Sequence, residues 1–133
     1  RLKQMTTLKH AITNEQLNDL KVYVYFNLHK KCFSVKALNG ELKGLVIAHT
    51  NSINLDDVTF KVSEAGRQRV LIEKKKNVHA GVVGTFKGFI ANEISEYKQA
   101  YYNPYKTATF LNGADSLYNA DKVTLTNKTI NFK

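Results

Sequence analysis

Residues that could act on a phosphate group are concentrated in one short part of the chain. Residues 61–79 contain six lysines and arginines against two glutamates, which gives a net charge of +4 (six minus two). Within this stretch, EKKKNVHAGVVG places three lysines just before a histidine and an apolar run. Amines, guanidinium groups and imidazoles bind phosphate oxygens, so the pattern indicates a site for a nucleic acid or a phosphorylated ligand.

The candidate phosphate ligands come from this stretch and from the lysine that follows it. Arg67 and Lys74 are seven residues apart, so on a helix they share one face, and no acidic partner lies on it. The structural alternative is that the lysine run only complements the negative end of a helix dipole. The expected phosphate ligands are Arg67, Lys74, Lys75, Lys76, His79 and Lys87.

Aromatic side chains form a second candidate set. In KVYVYFNLHK, valines alternate with tyrosines, so one face reads as core and the other as an outer face. The outward rings are Tyr23 and Tyr25, with Phe89 from a later strand. Lys36 and Lys61 also occupy outward positions in the alternation of their own strands. Rings interleaved with amines suit single-stranded nucleic acid, since bases stack and phosphates pair. The alternative is that other elements cover these rings as a second core.

A metal-independent ribonuclease is a further reading of the same residue types. Histidines near neutral pKa can move protons to and from a ribose hydroxyl, and an arginine can stabilise a pentavalent phosphate. The residues for this would be His29, His79 and Arg67, but no spacing rule ties them together. The sequence carries no phosphate-binding glycine motif, no zinc spacing and no cofactor signature, so we expect neither metal nor cofactor.

The elements that would position these residues are mostly strands. Period-two alternation recurs along the chain and predicts an α+β fold, with an antiparallel sheet of five to seven strands and one main helix at about 63–76. Ser63 is the expected N-cap, and the lysine run forms the expected last turn. Asp56-Asp57 reads as a loop between two strands. Residues 1–20 read as an arm or a short helix at 14–20.

The whole composition favours one globular domain over residues 1–133. There is no apolar run of 18 residues, so no membrane span is expected. The single cysteine, Cys32, favours a reducing compartment. Twenty lysines and arginines against eleven acidic residues give +9, which raises the odds of a polyanionic partner.

Three stretches together resemble a known family: NLHKKCFSVKA at 27–37, VTFKVSEAGRQRVLIEKKKNVHAGVVG at 58–84 and YYNPYK at 101–106. The family is an uncharacterised group of small proteins from phage and prophage genomes. No activity is known for it, so the resemblance assigns no catalytic residue. It implies a phage protein made in the host cytoplasm and acting there or in the virion.

The sequence therefore predicts a small basic protein that binds nucleic acid or a phosphorylated ligand without catalysis. Two alternatives remain open. One is a virion component or a protein that docks on virion proteins or an acidic host protein, and the other is the ribonuclease. The oligomeric state is left open as well.

Overall fold

A computed structural model describes residues 5–127 and 129–133 of the protein. Its elements are eleven strands and two helices in the described ranges. They follow one another as β1 Thr6–Leu8, α1 Asn14–Leu17, β2 Lys21–Asn27, β3 Cys32–Ala37, β4 Val46–Thr50, β5 Ser52–Val62, α2 Glu64–Glu73, β6 Ala80–Phe86, β7 Lys98–Ala100, β8 Phe110–Asn112, β9 Asp115–Leu117, β10 Asn119–Thr126 and β11 Thr129–Phe132.

Nine of the strands form one antiparallel sheet in the order β1-β4-β3-β2-β6-β5-β10-β11-β7. Strands from residues 6–86 make one continuous part of this sheet, and strands from residues 98–132 make the other. The two parts meet where β5 pairs with β10. The remaining strands, β8 and β9, form a separate hairpin.

One face of the sheet carries the core because apolar side chains recur at every second position. On β2 and β3, Val22, Val24, Val35 and Ala37 are almost fully buried, whereas the residues between them face the other way. Neighbouring strands continue the same apolar face. The core also contains Phe33, Ile47, Ile53, Leu55, Val58, Phe60, Val82, Phe110, Val123 and Leu125.

The predicted β-rich antiparallel fold with one main helix is confirmed, but the predicted strand number is too low. The sheet has nine strands instead of five to seven. The edge strands β1 and β7 have only three residues each, and three residues are too few to show a periodicity. β1 also lies within the segment that the sequence indicated as an arm.

The predicted loop at Asp56-Asp57 is wrong. These residues lie inside β5, whose register with β6 shifts between Asp56 and Thr59. Asp57 has a positive φ of 51°, as expected for an extra residue at a β-bulge. The bulge keeps Leu55 and Val58 both in the core, although they are three positions apart.

Helix α2 is shorter than predicted. Ser63 is its N-cap and accepts a hydrogen bond from the Gly66 amide, as expected. The helix ends at Glu73 because Lys74 takes a left-handed conformation with φ 56°. The lysine run therefore follows the helix and does not form its last turn.

The short helix α1 is held by a capping box. The Thr13 hydroxyl accepts from the Gln16 amide, and the Gln16 side chain accepts from the Thr13 amide. Across the described ranges, neither helix has the length and hydropathy of a membrane span.

Candidate nucleic-acid interface

Arg67, the first predicted phosphate ligand, is engaged by its own chain. Its Nη1 lies 2.9 Å from Glu64 Oε1, and its Nε donates to the Pro104 carbonyl at 2.9 Å. The side chain is only 16% exposed, whereas that of Glu64 is 54% exposed. Hydrogen bonds from Gln68 and Arg67 hold the pKa of Glu64 below its usual value. Arg67 thus ties α2 to the 104 segment.

The lysine run is exposed and continues directly from the end of α2. Lys74, Lys75 and Lys76 make no ion pair among the residues that the structure describes. They remain available to an external anion. They share their segment with no aromatic ring, so they could contribute charge but no base stacking.

His79, another predicted phosphate ligand, lies in a small hydrogen-bonded group. Its Nδ1 donates to the Asn77 carbonyl at 2.8 Å, and its Nε2 lies 2.6 Å from the hydroxyl of Tyr102. The Tyr102 ring in turn stacks on the buried ring of Phe110 with centroids 5.1 Å apart. Both nitrogens of the imidazole therefore already have partners within the chain.

Lys87 and Phe89 lie near α1 and form a separate group. Lys87 Nζ pairs with Asp19 Oδ1 at 2.6 Å, and this hydrogen bond raises the pKa of the lysine. The ring of Phe89 packs against Phe86 with centroids 4.7 Å apart and against the core. Phe89 is thus not part of the outward aromatic set.

Of the three residues of the ribonuclease hypothesis, Arg67 and His79 both lie close enough to Glu64 to lower its pKa. His29 is exposed in the turn between β2 and β3, where its amide donates to Asn27 Oδ1. In the described part of the chain, no hydrogen bond or ion pair joins it to His79 or Arg67. No group of three or more metal-binding side chains occurs within the same residues.

Tyr23 and Tyr25 lie side by side on the outer face of β2, as the alternation predicted. Their ring centroids are 5.7 Å apart, and both side chains keep part of their surface exposed. The Tyr23 ring lies directly over Gly81 of β6, where an added Cβ would come within 2.7 Å of its Cζ and Oη. Burial, with a smaller effect of Tyr25, raises the pKa of Tyr23. Because Gly81 has no side chain, the Tyr23 ring can lie close against the backbone of β6.

Two lysines flank this pair of rings. Lys36 lies directly opposite Tyr23 on β3, and Lys61 lies opposite Gly81 on β5. Cross-strand partners share a face, so both amines lie on the side of the tyrosines. Neither lysine makes an ion pair with a described residue. The carboxylate of Asp56, farther along the same side, pairs with Lys122 at 3.3 Å.

His49 extends the same face toward β1. The register aligns Tyr25 with Ser34 and Ser34 with His49. The Ser34 hydroxyl and His49 Nδ1 share a hydrogen bond of 2.9 Å, and Asn27 Nδ2 donates to the same hydroxyl at 3.1 Å. Burial lowers the pKa of His49, and the charges of Lys30 and Lys9 lower it further. This histidine therefore sits in a positive environment.

We call this surface the tyrosine face and define it by Tyr23, Tyr25, Lys36, His49 and Lys61. Alternation within β2, β3 and β5 was sufficient to place its tyrosines and lysines. His49 was not assigned to this face, because LVIAHT is almost continuously apolar and its facing cannot be read from period two.

Comparison with known proteins agrees with the phage resemblance. The family model described as Mycobacterium phage L5 gene 82 protein matches residues 15–133. The gene 82 protein of Mycobacterium phage L5 is 37% identical over 116 residues, covering 77% of this chain and 91% of that protein. No solved structure matches the chain. The chain therefore belongs to the family of small phage proteins represented by the gene 82 protein of Mycobacterium phage L5.

Proposed function

We propose that the protein binds single-stranded nucleic acid on the tyrosine face, without catalysis. The observation that carries this proposal is the pairing of two adjacent, partly exposed tyrosine rings with cations on one face of the sheet. Base stacking on a tyrosine contributes about 1–3 kcal/mol per base, and the stacking tolerates any sequence. Amines beside the rings supply phosphate contacts in the same register.

The charge around the rings favours a polyanion over a neutral ligand. Lys36 and Lys61 have no carboxylate partner in the described structure, and Lys9 and Lys30 are close enough to lower the pKa of His49. Contacts to about four phosphates would give a slope of about −3 in log K against log salt for a single strand.

The same geometry supports binding without cleavage. A general base needs a free ring nitrogen near the hydroxyl that it deprotonates. The nitrogens of His79 are both bonded within the chain, and Arg67 is held by Glu64 and Pro104. His49 stands beside the rings, and its Nδ1 is engaged by the Ser34 hydroxyl.

The proposal is tested with a labelled single-stranded oligonucleotide and fluorescence anisotropy. We expect Tyr25→Leu, which keeps apolar volume but removes the ring, to weaken binding by about 5- to 150-fold, the equivalent of one stacked base. Removing two phosphate contacts with Lys36→Gln/Lys61→Gln should make the salt slope shallower by about 1.4.

The matched control removes the same charge from the lysine run. Lys75→Gln/Lys76→Gln should leave the salt slope close to that of the unchanged protein. If this control reduces the slope as much as Lys36→Gln/Lys61→Gln, the binding site is the segment after α2 and not the tyrosine face. If Tyr25→Leu binds as tightly as the unchanged protein, the rings do not stack on bases. An acidic protein partner would show a similar dependence on salt, but its binding would not require the Tyr25 ring to stack on a base.

A further inference from the structure

Strands β2 and β6 separate at one end, where a cleft opens that is lined mostly by residues of the core face and by Tyr25 of the tyrosine face. Their pairing runs from Lys21↔Thr85 to Val24↔Val82 and stops there. Beyond this point β2 continues along β3 to Asn27↔Cys32, and β6 continues along β5 to Val62↔Ala80. The two strands thus diverge, each held by its other neighbour.

The cleft between them has a volume of about 420 Å³. Its inner wall is built from core side chains, among them Phe33, Phe110 and Leu125. Its rim carries exposed apolar residues, since Leu28 is 43% and Val78 is 40% exposed. Ligand sites in proteins have volumes of about 300–1,000 Å³ and are mostly apolar with a few placed polar groups. The cleft falls at the small end of this range, which suits one flat ring system.

The polar group in the wall is the pair His79 and Tyr102, both of which line the cleft. A carbonyl can only accept, so the bond to Asn77 places a proton on Nδ1 of His79. With this proton on Nδ1, Nε2 accepts a hydrogen bond from the hydroxyl of Tyr102. The Tyr102 oxygen then retains lone pairs that can accept a hydrogen bond from an N–H group. Burial raises the pKa of Tyr102, which keeps its hydroxyl protonated.

Tyr25 connects the cleft with the tyrosine face, because it belongs to that face and also lines the cleft. We propose that the cleft receives one planar heteroaromatic base, turned out of a strand that crosses the tyrosine face. The aromatic and aliphatic walls cover the two faces of the base, and Tyr102 accepts from one of its N–H groups. The presence of a nucleic-acid strand rests on the proposed function, whereas the binding of a base in the cleft rests on the residues that line it.

Two sources could deliver such a base: a nucleic-acid strand or a free mononucleotide. The probe for the first is an oligothymidylate with a single 2-aminopurine, and the probe for the second is 2-aminopurine riboside 5′-monophosphate. Both are measured by acrylamide quenching of the 2-aminopurine fluorescence. A pocket that covers about 70–90% of a ligand should reduce the quenching slope by about three- to tenfold.

Val78→Trp should fill the mouth of the cleft from an exposed rim position. The matched control is Ile72→Trp, which introduces the same indole ring on α2. Ile72 is 74% exposed and does not line the cleft. Circular dichroism and thermal unfolding are used first to check that both variants are folded. We expect protection of the base in the unchanged protein and in Ile72→Trp, and loss of protection in Val78→Trp. Anisotropy should show that Val78→Trp still binds the oligonucleotide.

The two arms separate the cleft from the proposed function. If anisotropy shows that the oligonucleotide binds but neither probe is protected from acrylamide, the cleft proposal is overturned. The proposed binding on the tyrosine face would not be affected by this result. Protection of the mononucleotide alone supports base binding in the cleft and assigns the base to a free nucleotide. If no oligonucleotide binds, the proposed function fails and the mononucleotide arm alone decides the cleft. Equal loss of protection in Val78→Trp and Ile72→Trp also overturns the proposal.

Discussion

Gly66→Ala tests the contact between helix α2 and the segment that enters β6. Gly66 is a buried residue of α2, and a Cβ at this position would lie 2.5 Å from the Cβ of His79 and 3.2 Å from Asn77 Nδ2. The Cβ of His79 is attached directly to the main chain, so it cannot swing aside like the end of a long side chain. Either the helix or the 77–79 segment must move.

Two effects of opposite sign decide the result. Alanine in place of a helical glycine normally stabilises by up to about 1 kcal/mol. Overpacking against a fixed neighbour costs about 1–3 kcal/mol, and the movement also disturbs the bond from Asn77 Nδ2 to the Gly66 carbonyl. We therefore expect a net loss of about 1–2 kcal/mol. With an unfolding entropy of about 2.1 cal/mol/K per residue, this lowers Tm by roughly 4–7 °C.

The assay is thermal unfolding by circular dichroism at one protein concentration. Ala65→Gly, at the exposed neighbouring position, controls for helix propensity and should cost up to about 1 kcal/mol. In a His79→Gly background the obstructing Cβ is gone, so adding Gly66→Ala should become neutral or stabilising. A rise in Tm for Gly66→Ala alone would show that α2 does not rest on His79. The position of His79 between the helix and the cleft would then be refuted.

Two further predictions concern one buried and one half-buried polar side chain. Asn54→Ala removes bonds from Asn54 Nδ2 to the Ile90 carbonyl and from the Asn92 amide to Asn54 Oδ1, so we expect a loss of about 1–3 kcal/mol. Hydrogen exchange at the Asn92 amide should accelerate, and unchanged exchange would show that this bond does not hold the loop. Burial and nearby lysines lower the folded pKa of His49, so the unfolded chain binds the proton first as pH falls below about 6.5. His49 therefore contributes stability above that pH that is lost under acid conditions, and His49→Gln should flatten the decline between pH 7.5 and 5.5 in urea unfolding. An equally steep decline in His49→Gln would contradict this.

Local patterning was sufficient for part of the fold and part of the site. Strict alternation in β2 placed Tyr23 and Tyr25 on the outer face, and the hydroxyl of Ser63 was recognised as a helix cap. These features depend on neighbours in sequence, which one chain displays directly.

Features that depend on distant contacts could not be predicted. The end of α2 at Glu73 is coupled to Asn77, which returns across the helix to bond the Gly66 carbonyl. The burial of Arg67 depends on a carbonyl 37 residues away at Pro104. A cation therefore looks free in the sequence whenever its partner is main chain from another segment. This is why the sequence predicted Arg67 to be free for a phosphate, although its guanidinium group is engaged within the chain.

The junction of β5 with β10 affects the order in which the protein can be assembled on a ribosome. Its partners are 60 to 74 positions apart, from Asn119 opposite Thr59 to Thr126 opposite Ser52. Strand pairings that close such long loops form late, because the chain loses the entropy of loop closure before the new contacts stabilise it. Until β10 emerges, the nascent chain presents β5, with Ile53 and Leu55, as an open apolar edge. The greatest risk of misassociation between newly made copies therefore falls in the interval between the synthesis of β6 and that of β10.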